Sequence, residues 1–179
     1  FERSYLFGEP LPPIDVLFWN TDTTRMPAAM HSFYLREMYL NNNLIRRDAL
    51  TIAGEPIDLD RITQPLYAVG AEDDHIVPWR QSYKIRRYVN IKAPVRYVLT
   101  TSGHIFGIVN AVVTPPRRSF WVAAPERNES NEHWLARADR KAGSWWEDWL
   151  DWLSPQCGPL VAPPDIDAEV DPELGAAPG

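Results

Sequence analysis

Two apolar segments of the chain are each followed closely by a side chain that can do acid–base chemistry. LYAVG at residues 66–70 is followed by Asp73 and Asp74, and VRYVLT at residues 95–100 is followed by His104. A carboxylate beside an imidazole fixes the tautomer and orientation of the ring and stabilises its protonated form. The other ring nitrogen can then act as a general base, which accelerates reactions by about 10²- to 10⁴-fold.

The elements that must bring these side chains together are a strand, a helix and a second strand. Pro78 opens the segment WRQSYKIRRYV, in which we expect Trp79, Tyr83 and Val89 to face inward. A unit of this kind within about 35 residues predicts an α/β fold with a parallel sheet. Functional groups gather beyond the carboxyl ends of such strands, so the loops carrying Asp74 and His104 should lie side by side.

Each residue also has an ordinary structural explanation. An aspartate at a strand end often caps a following helix, and a loop histidine often only accepts or donates a hydrogen bond. We prefer Asp74 to Asp73 because it comes directly before the segment HIVPW, and we assign no catalytic role to His75.

A nucleophile to complete a triad is not evident in the sequence. Hydrolase-like folds place it upstream of the acid and the histidine, on a turn of the form G-x-S-x-G or its cysteine equivalent. No serine or cysteine in the chain has that context, and the one cysteine, Cys157, follows the histidine near the C-terminal segment. We therefore expect no nucleophile in this chain.

The composition limits the other functions open to the chain. A net charge of -6 and a pI near 5.2 argue against a nucleic-acid footprint, and no apolar run is long enough for a membrane span. The start of the chain lacks the pattern of a signal peptide, and one cysteine fits a reducing compartment. No histidines have zinc-ligand spacing, so we expect no metal site and no cofactor.

The remaining segments differ in how clearly they predict structure. Residues 1–25 are interpreted as irregular, 28–42 as a helix ending at an asparagine run, 51–60 as a hairpin or extended segment, and 114–143 as polar and irregular. Residues 144–153, SWWEDWLDWL, predict a helix with a Ser144–Glu147 capping box whose tryptophan face packs on the sheet. Residues 154–179, rich in proline and acid, predict a disordered or extended tail.

Four blocks in this order resemble the C-terminal half of polyhydroxyalkanoate synthases, most closely class I. The blocks are LFWNTDTTRMP with FYLREMYL, EDDHIVPW, SGHIFGIVN and GSWWEDWLDWL, and the resemblance covers about residues 15–153. It implies the C-terminal portion of an α/β-hydrolase fold with part of a lid or cap insertion. Residues 1–50 would then be lid-like, 51–153 core and 154–179 tail.

The resemblance also implies a chemistry. The family polymerises (R)-3-hydroxyacyl-CoA into polyester with release of coenzyme A and uses a Cys-His-Asp triad, in which acyl-CoA is a substrate and not a cofactor. By match to the family motifs, His104 is the base that deprotonates a cysteine upstream of this chain. Asp74 either orients His104 or helps to activate the 3-hydroxyl group of an acyl unit. The chain alone is expected to be inactive.

The resemblance also implies binding partners and a cellular location. The lid-like segment resembles the region with which family members cover the site and form dimers, so Phe33, Tyr34 and Met38 are candidates for a homodimer contact. We expect a cytoplasmic protein at the polyester granule surface. Arg117 and Arg118 are more simply a solvated pair than a site for coenzyme A phosphates. Two alternatives stay open, namely another hydrolase-like enzyme such as an esterase or polyester depolymerase, and a non-catalytic self-association or granule-surface module.

Overall fold

A computed structural model describes residues 2–10, 15, 19 and 22–163 of the chain. The described residues fall into two compact units, with the division between Arg61 and Ile62. Residues 1, 11–14, 16–18, 20–21 and 164–179 lie outside the described residues, so the expectations for them, which include most of the tail, are not tested. The assignment of residues 1–50 as lid-like and 51–153 as core likewise stays a prediction.

The first unit contains short helices and a hairpin. Helix α1 spans Glu2–Leu6, and α2 spans Ala28–Phe33 and continues as a π-helical segment over Tyr34–Leu40. Two 3₁₀ turns follow, at Asn43–Ile45 and Leu59–Arg61, and strands β1 (Leu50–Ile52) and β2 (Glu55–Ile57) lie between them.

Local sequence signals explain where these elements end. The predicted helix stops at Leu40, and Asn42 two residues later has a left-handed backbone with φ of 49°. The predicted hairpin is also confirmed, because β1 and β2 pair antiparallel around a turn in which Gly54 has φ of 85°.

The second unit is built on one four-stranded sheet. Its strands are β3 (Leu66–Ala71), β4 (Val95–Thr100), β5 (Ser119–Ala123) and β6 (Asp139–Ala142), in that order across the sheet. The predicted parallel pair is confirmed, with Leu66 opposite Val95 and Ala71 opposite Thr100. The other two pairings are antiparallel, so the sheet is mixed rather than parallel.

The prediction that residues 114–143 are irregular is wrong. They contain β5, β6 and helix α6 (Asn131–Arg137). Ser130 caps the start of α6, because its side chain accepts a hydrogen bond from the His133 N–H. Strand β6 has the sequence DRKA and is exposed along its length, so no apolar pattern marks it. It pairs with β5 at the end of the sheet, where charged side chains suit an edge strand.

The helical segment after Pro78 is shorter than predicted. It divides into α3 (Trp79–Ser82) and α4 (Ile85–Tyr88), while the three residues expected to face inward are buried: Trp79, Tyr83 and Val89. Helix α7 (Trp145–Leu153) is present as predicted. The side chain of Ser144 caps it by accepting from the Trp146 N–H rather than from the Glu147 N–H, so the predicted capping box is not formed. None of the described helices is long and apolar enough to cross a membrane.

The core lies on both faces of the sheet because successive residues of β4 point to opposite sides. One cluster is mainly aromatic and consists of Trp79, Tyr83, Tyr97, Leu99 and Trp134. A second cluster consists of Val98, Phe120, Val122 and Trp145, with Trp149 packed against it, and a third, smaller one consists of Val89, Ala93 and Val95. Trp152 also contacts Tyr67 of β3, with ring centroids 5.3 Å apart, so the tryptophan face of α7 packs on the sheet as predicted.

Gly70 lets the aromatic cluster approach β3. A methyl group there would overlap the Tyr97 hydroxyl and lie 3.0 Å from Ser82 Oγ. Tyr97 cannot easily move, because it is fully buried, donates to the Trp79 carbonyl and packs edge-to-face on Trp134.

We therefore expect Gly70→Ala to lower the free energy of unfolding by about 1–3 kcal/mol, as overpacked cores do. Urea denaturation followed by tryptophan fluorescence measures this change. Gly103→Ala is the matched control, because its added methyl group would lie 3.6 Å from the nearest atom, the Asp73 carbonyl oxygen. Equal stability of Gly70→Ala and Gly103→Ala would show that Tyr97 does not restrict this position.

Candidate active site

The side chains of Asp74 and His104 meet beyond the carboxyl ends of β3 and β4. His104 Nδ1 lies 2.9 Å from Asp74 Oδ2, within hydrogen-bond distance. Asp73, the neighbouring acid, is exposed. The structure thus contains the contact that the sequence predicts, and it selects Asp74 as the acid that reaches the ring.

Backbone hydrogen bonds hold the two loops together. The Glu72 N–H donates to the Thr100 carbonyl at 2.9 Å, and the Asp73 N–H donates to the Ser102 carbonyl at 3.1 Å. Sheet-like pairing therefore continues past the ends of the strands. Ser102 has φ of 90°, an uncommon conformation for a residue with a side chain, so the chain turns sharply just before His104.

The second oxygen of Asp74 is held by its own loop. Oδ1 accepts hydrogen bonds from the N–H groups of Ile76 at 2.9 Å and Val77 at 2.8 Å. Burial on its own would raise the pKa of the Asp74 carboxyl, but the hydrogen bonds from Val77, His104 and Ile76 outweigh it, so this pKa lies below its ordinary value. Asp74 is therefore an ionised carboxylate with a fixed orientation at neutral pH.

That carboxylate determines which nitrogen of His104 carries the proton. An ionised carboxylate only accepts, so Nδ1 donates its N–H to Asp74 Oδ2. Nε2 has no hydrogen-bond partner among the described residues, and 42% of the His104 side chain is exposed. The pair can therefore present a basic nitrogen to a group that arrives from outside the described residues.

Close packing fixes the chain just after His104. Helix α5 (Phe106–Val109) starts two residues later, and a methyl group on Gly107 would lie 2.6 Å from Ala71 Cβ and 2.8 Å from Thr100 Oγ1. The Thr100 hydroxyl also donates to the Gly107 carbonyl at 3.0 Å. Only glycine at this position allows α5 to rest on the ends of the two strands.

A mostly apolar cleft of about 240 Å³ lies beside α5. Phe106, Val109 and Arg117 are among its lining residues. Arg118, which the sequence predicts to be solvated together with Arg117, instead donates to the Phe106 carbonyl and lies over the Phe106 ring at 5.5 Å. The sequence pattern does not reveal these contacts, because they join Arg118 to a residue 12 positions earlier in the chain.

The described residues contain no further group that completes the site. Cys157 is exposed in the segment that follows α7, and no contact joins it to His104 in the part of the chain described here. No group of three or more His, Cys, Asp or Glu side chains among the described residues could hold a metal ion.

The mixed sheet with flanking helices defines an α/β protein, and two neighbouring parallel strands carry a hydrogen-bonded acid and histidine at their ends. No protein-family model matches the chain. It is 43% identical over 166 residues to the poly(3-hydroxyalkanoate) polymerase subunit PhaC of Cupriavidus necator, covering 90% of this chain and 27% of that protein. It is 37% identical over 178 residues to poly(3-hydroxyalkanoate) polymerase 2 of Ectopseudomonas oleovorans, covering 99% of this chain and 31% of that protein.

A further relative supports the same assignment. The polymerase subunit PhaC of Rhizobium etli is 40% identical over 164 residues, which cover 90% of this chain and 25% of that protein. By sequence the chain belongs to the poly(3-hydroxyalkanoate) polymerase family, which confirms the resemblance seen in its four sequence blocks. The chain spans less than a third of the length of these relatives.

The hydrogen bonds to Asp74 predict how stability depends on pH. Because the pKa of Asp74 is lower in the folded state, its carboxylate stabilises the fold above the unfolded pKa of about 3.9, and this contribution is lost as the pH falls through the folded pKa. Asp74→Asn should therefore lower the free energy of unfolding by about 1 kcal/mol at pH 7, and the difference should shrink below about pH 4. Urea denaturation from about pH 3 to pH 7 measures both curves.

The control for this experiment is Asp73→Asn on the same loop. Asp73 is exposed and its side chain forms no hydrogen bond or ion pair with a described residue, so this variant should follow the wild-type curve. A difference between wild type and Asp74→Asn that stays constant across the whole pH range would contradict the assignment.

Proposed function

We propose that this chain is a C-terminal part of a poly(3-hydroxyalkanoate) polymerase and supplies the acid and the base of its catalytic triad. The observation that carries the proposal is the 2.9 Å contact between His104 Nδ1 and Asp74 Oδ2, with Nε2 unpartnered among the described residues. The names of the relatives point to the same activity, since each is called a poly(3-hydroxyalkanoate) polymerase.

In the proposed mechanism, His104 Nε2 removes the proton from a cysteine thiol supplied by another part of the polymerase. The thiolate attacks the carbonyl carbon of an (R)-3-hydroxyacyl-CoA, the carbon–sulfur bond to coenzyme A breaks, and the acyl group becomes a thioester of the enzyme. The imidazolium that His104 becomes is stabilised by the Asp74 carboxylate and returns its proton to the departing thiolate of coenzyme A. No cofactor takes part in these steps.

Chain growth requires a second activated nucleophile, the 3-hydroxyl group of an acyl unit. Its oxygen attacks the thioester carbonyl of the growing polyester and forms an ester bond, the carbon–sulfur bond breaks, and His104 passes the hydroxyl proton to the departing thiolate. Asp74 is already engaged through both of its oxygens, by His104 on one and by Ile76 and Val77 on the other. This arrangement favours the role of orienting His104 over direct proton removal by Asp74.

The open edge of β3 supports a nucleophile that comes from elsewhere in the polymerase. Among the described residues β3 pairs only with β4, and its sequence LYAVGA has no proline or charge to protect a free edge. A further parallel strand on that edge would end beside the loop that carries Asp74. We propose that a strand from another part of the polymerase occupies this position and extends the sheet toward the nucleophile.

Hydrogen exchange tests whether another strand covers the free edge of β3 in the complete polymerase. The N–H groups of Leu66 and Glu72 point to β4, so strand alternation directs those of Tyr67, Val69 and Ala71 to the free edge. In the 179-residue chain these three amides should exchange faster than those of Ala68 and Gly70, and in the complete polymerase all five should be protected. Equal protection of all five in the isolated chain, or fast exchange at the edge in the complete polymerase, would contradict the proposal.

The same proposal covers the place and partners of the protein. The segment at 28–40 would belong to a lid, and its exposed or half-buried side chains, including Phe33, Tyr34 and Met38, would contribute to a homodimer. The complete enzyme would act in the cytoplasm at the surface of polyester granules. Arg117, which lines the cleft beside α5, is the better placed of the two arginines for coenzyme A phosphates, because Arg118 is engaged by Phe106.

Replacement of His104 tests the proposed function directly. In the complete polymerase, His104→Ala should reduce coenzyme A release from (R)-3-hydroxybutyryl-CoA by at least about 10³-fold, because the thiol loses its base. His75→Ala is the matched control, since His75 is an exposed histidine beside Asp74 and has no proposed role. Near-normal release by His104→Ala, with the fold intact by circular dichroism, would remove His104 from the mechanism.

A further inference from the structure

Helix α5, which follows His104, is too short to be stable alone. It has four residues, and a helix leaves its last four carbonyl groups without partners inside the helix. In α5 these groups are not left to solvent. The indole N–H groups of Trp145 and Trp146, at the start of α7, donate hydrogen bonds to three of them.

The donors act in sequence along the end of α5. The Trp145 indole N–H lies 3.1 Å from the Gly107 carbonyl and 3.2 Å from the Ile108 carbonyl. The Trp146 indole N–H lies 3.2 Å from the same Ile108 carbonyl and 3.0 Å from the Val109 carbonyl. The Ser144 hydroxyl then donates to the carbonyl of the next residue, Asn110. Three consecutive side chains thus cap the end of a helix from a distant part of the sequence.

The capping segment is itself anchored firmly to the sheet. Trp145 is buried in the core. One turn further along α7, the buried carboxylate of Asp148 accepts two hydrogen bonds from Arg96 of β4, at 2.8 and 2.5 Å, and one from the hydroxyl of Tyr67 of β3, at 3.0 Å. The start of α7 is therefore fixed to the same two strands whose ends carry Asp74 and His104.

The turn that carries His104 is hydrogen-bonded to α5. The Gly107 N–H donates to the Gly103 carbonyl at 2.8 Å, so a hydrogen bond closes the turn that holds His104 between Gly103 and α5. The only side-chain hydrogen bond that the described residues give the His104 ring is the one to Asp74. Any tilt of α5 would therefore shift the direction of Nε2.

We propose that Trp146 is a positioning residue, whose indole N–H holds the end of α5 and thereby aims His104. Trp145 shares the task but also fills the core, whereas 37% of Trp146 is exposed, so its hydrogen bond can be removed without a large cavity. This inference rests on the proposed function of His104. It assigns a role to the block GSWW, which the proposed chemistry does not use.

The test replaces Trp146 by phenylalanine in the complete polymerase. Trp146→Phe keeps an aromatic ring to stack on Trp145 but lacks the N–H donor. We expect kcat for coenzyme A release to fall about tenfold or more, because small misplacements of a catalytic group are costly, while KM changes less than about twofold. The melting temperature should change by less than about 4 °C. The kcat values of the wild type and the variant are both measured well below the melting temperature and are expressed per folded molecule.

The matched control is Trp149→Phe on the same helix. The indole N–H of Trp149 has no hydrogen-bond partner among the described residues, so its removal should leave kcat close to the wild-type value. The proposal is overturned if kcat of Trp146→Phe lies within twofold of kcat of Trp149→Phe, whether both values stay high or both fall.

A spectroscopic measurement separates positioning from a merely structural effect. In the 179-residue chain, the Nδ1 proton that His104 shares with Asp74 should give a sharp, exchange-protected NMR signal in the wild type and in Trp149→Phe. In Trp146→Phe this signal should be broadened or lost, and an unchanged signal would count against the proposal even if kcat fell.

The His104→Ala variant separates failure of this inference from failure of the proposed function. An active His104→Ala enzyme refutes the proposed function. An inactive His104→Ala enzyme together with a fully active Trp146→Phe enzyme refutes only this inference.

Discussion

The hydrogen bond between His104 and Asp74 is the interaction on which the site depends, and it requires two loops to end at the same height. That condition is met because β3 and β4 pair in parallel with Ala71 opposite Thr100, and because the pairing continues through the Glu72 and Asp73 amides. A shift of register by one residue would turn every side chain of a strand to the other face and separate the two loops. The geometry of the acid and base is thus a consequence of strand register.

Much of the packing in the second unit serves to keep that register and the loops in place. Gly70 and Gly107 are both positions where a methyl group would collide with neighbouring atoms, so the aromatic cluster and α5 can approach the strands closely. Asp148 joins α7 to β4 through Arg96, and Trp146, two residues before Asp148, caps the end of α5. Stability and site geometry are therefore linked through the same contacts.

The accuracy of the sequence-based predictions followed the strength of the local signal. Strands β3 and β4 are apolar runs preceded by proline, and the helix at residues 145–153 has a serine cap and a tryptophan face, so all three were predictable. Strand β6 is charged along its length and depends on pairing with β5, so propensity could not reveal it. The division between α3 and α4 also escaped prediction, because the sequence continues with residues that favour helix.

The sequence by itself determined the order of acid and histidine, their place after two apolar strands and the family to which the chain belongs, because these depend on residue identity along the chain. Only the tertiary structure decided how both oxygens of Asp74 are held, that Arg118 is engaged by Phe106, and that the tryptophans at the start of α7 cap the helix after His104. Those contacts join residues up to about 40 positions apart, so they arise from loop geometry and strand register and leave no periodic trace in the sequence.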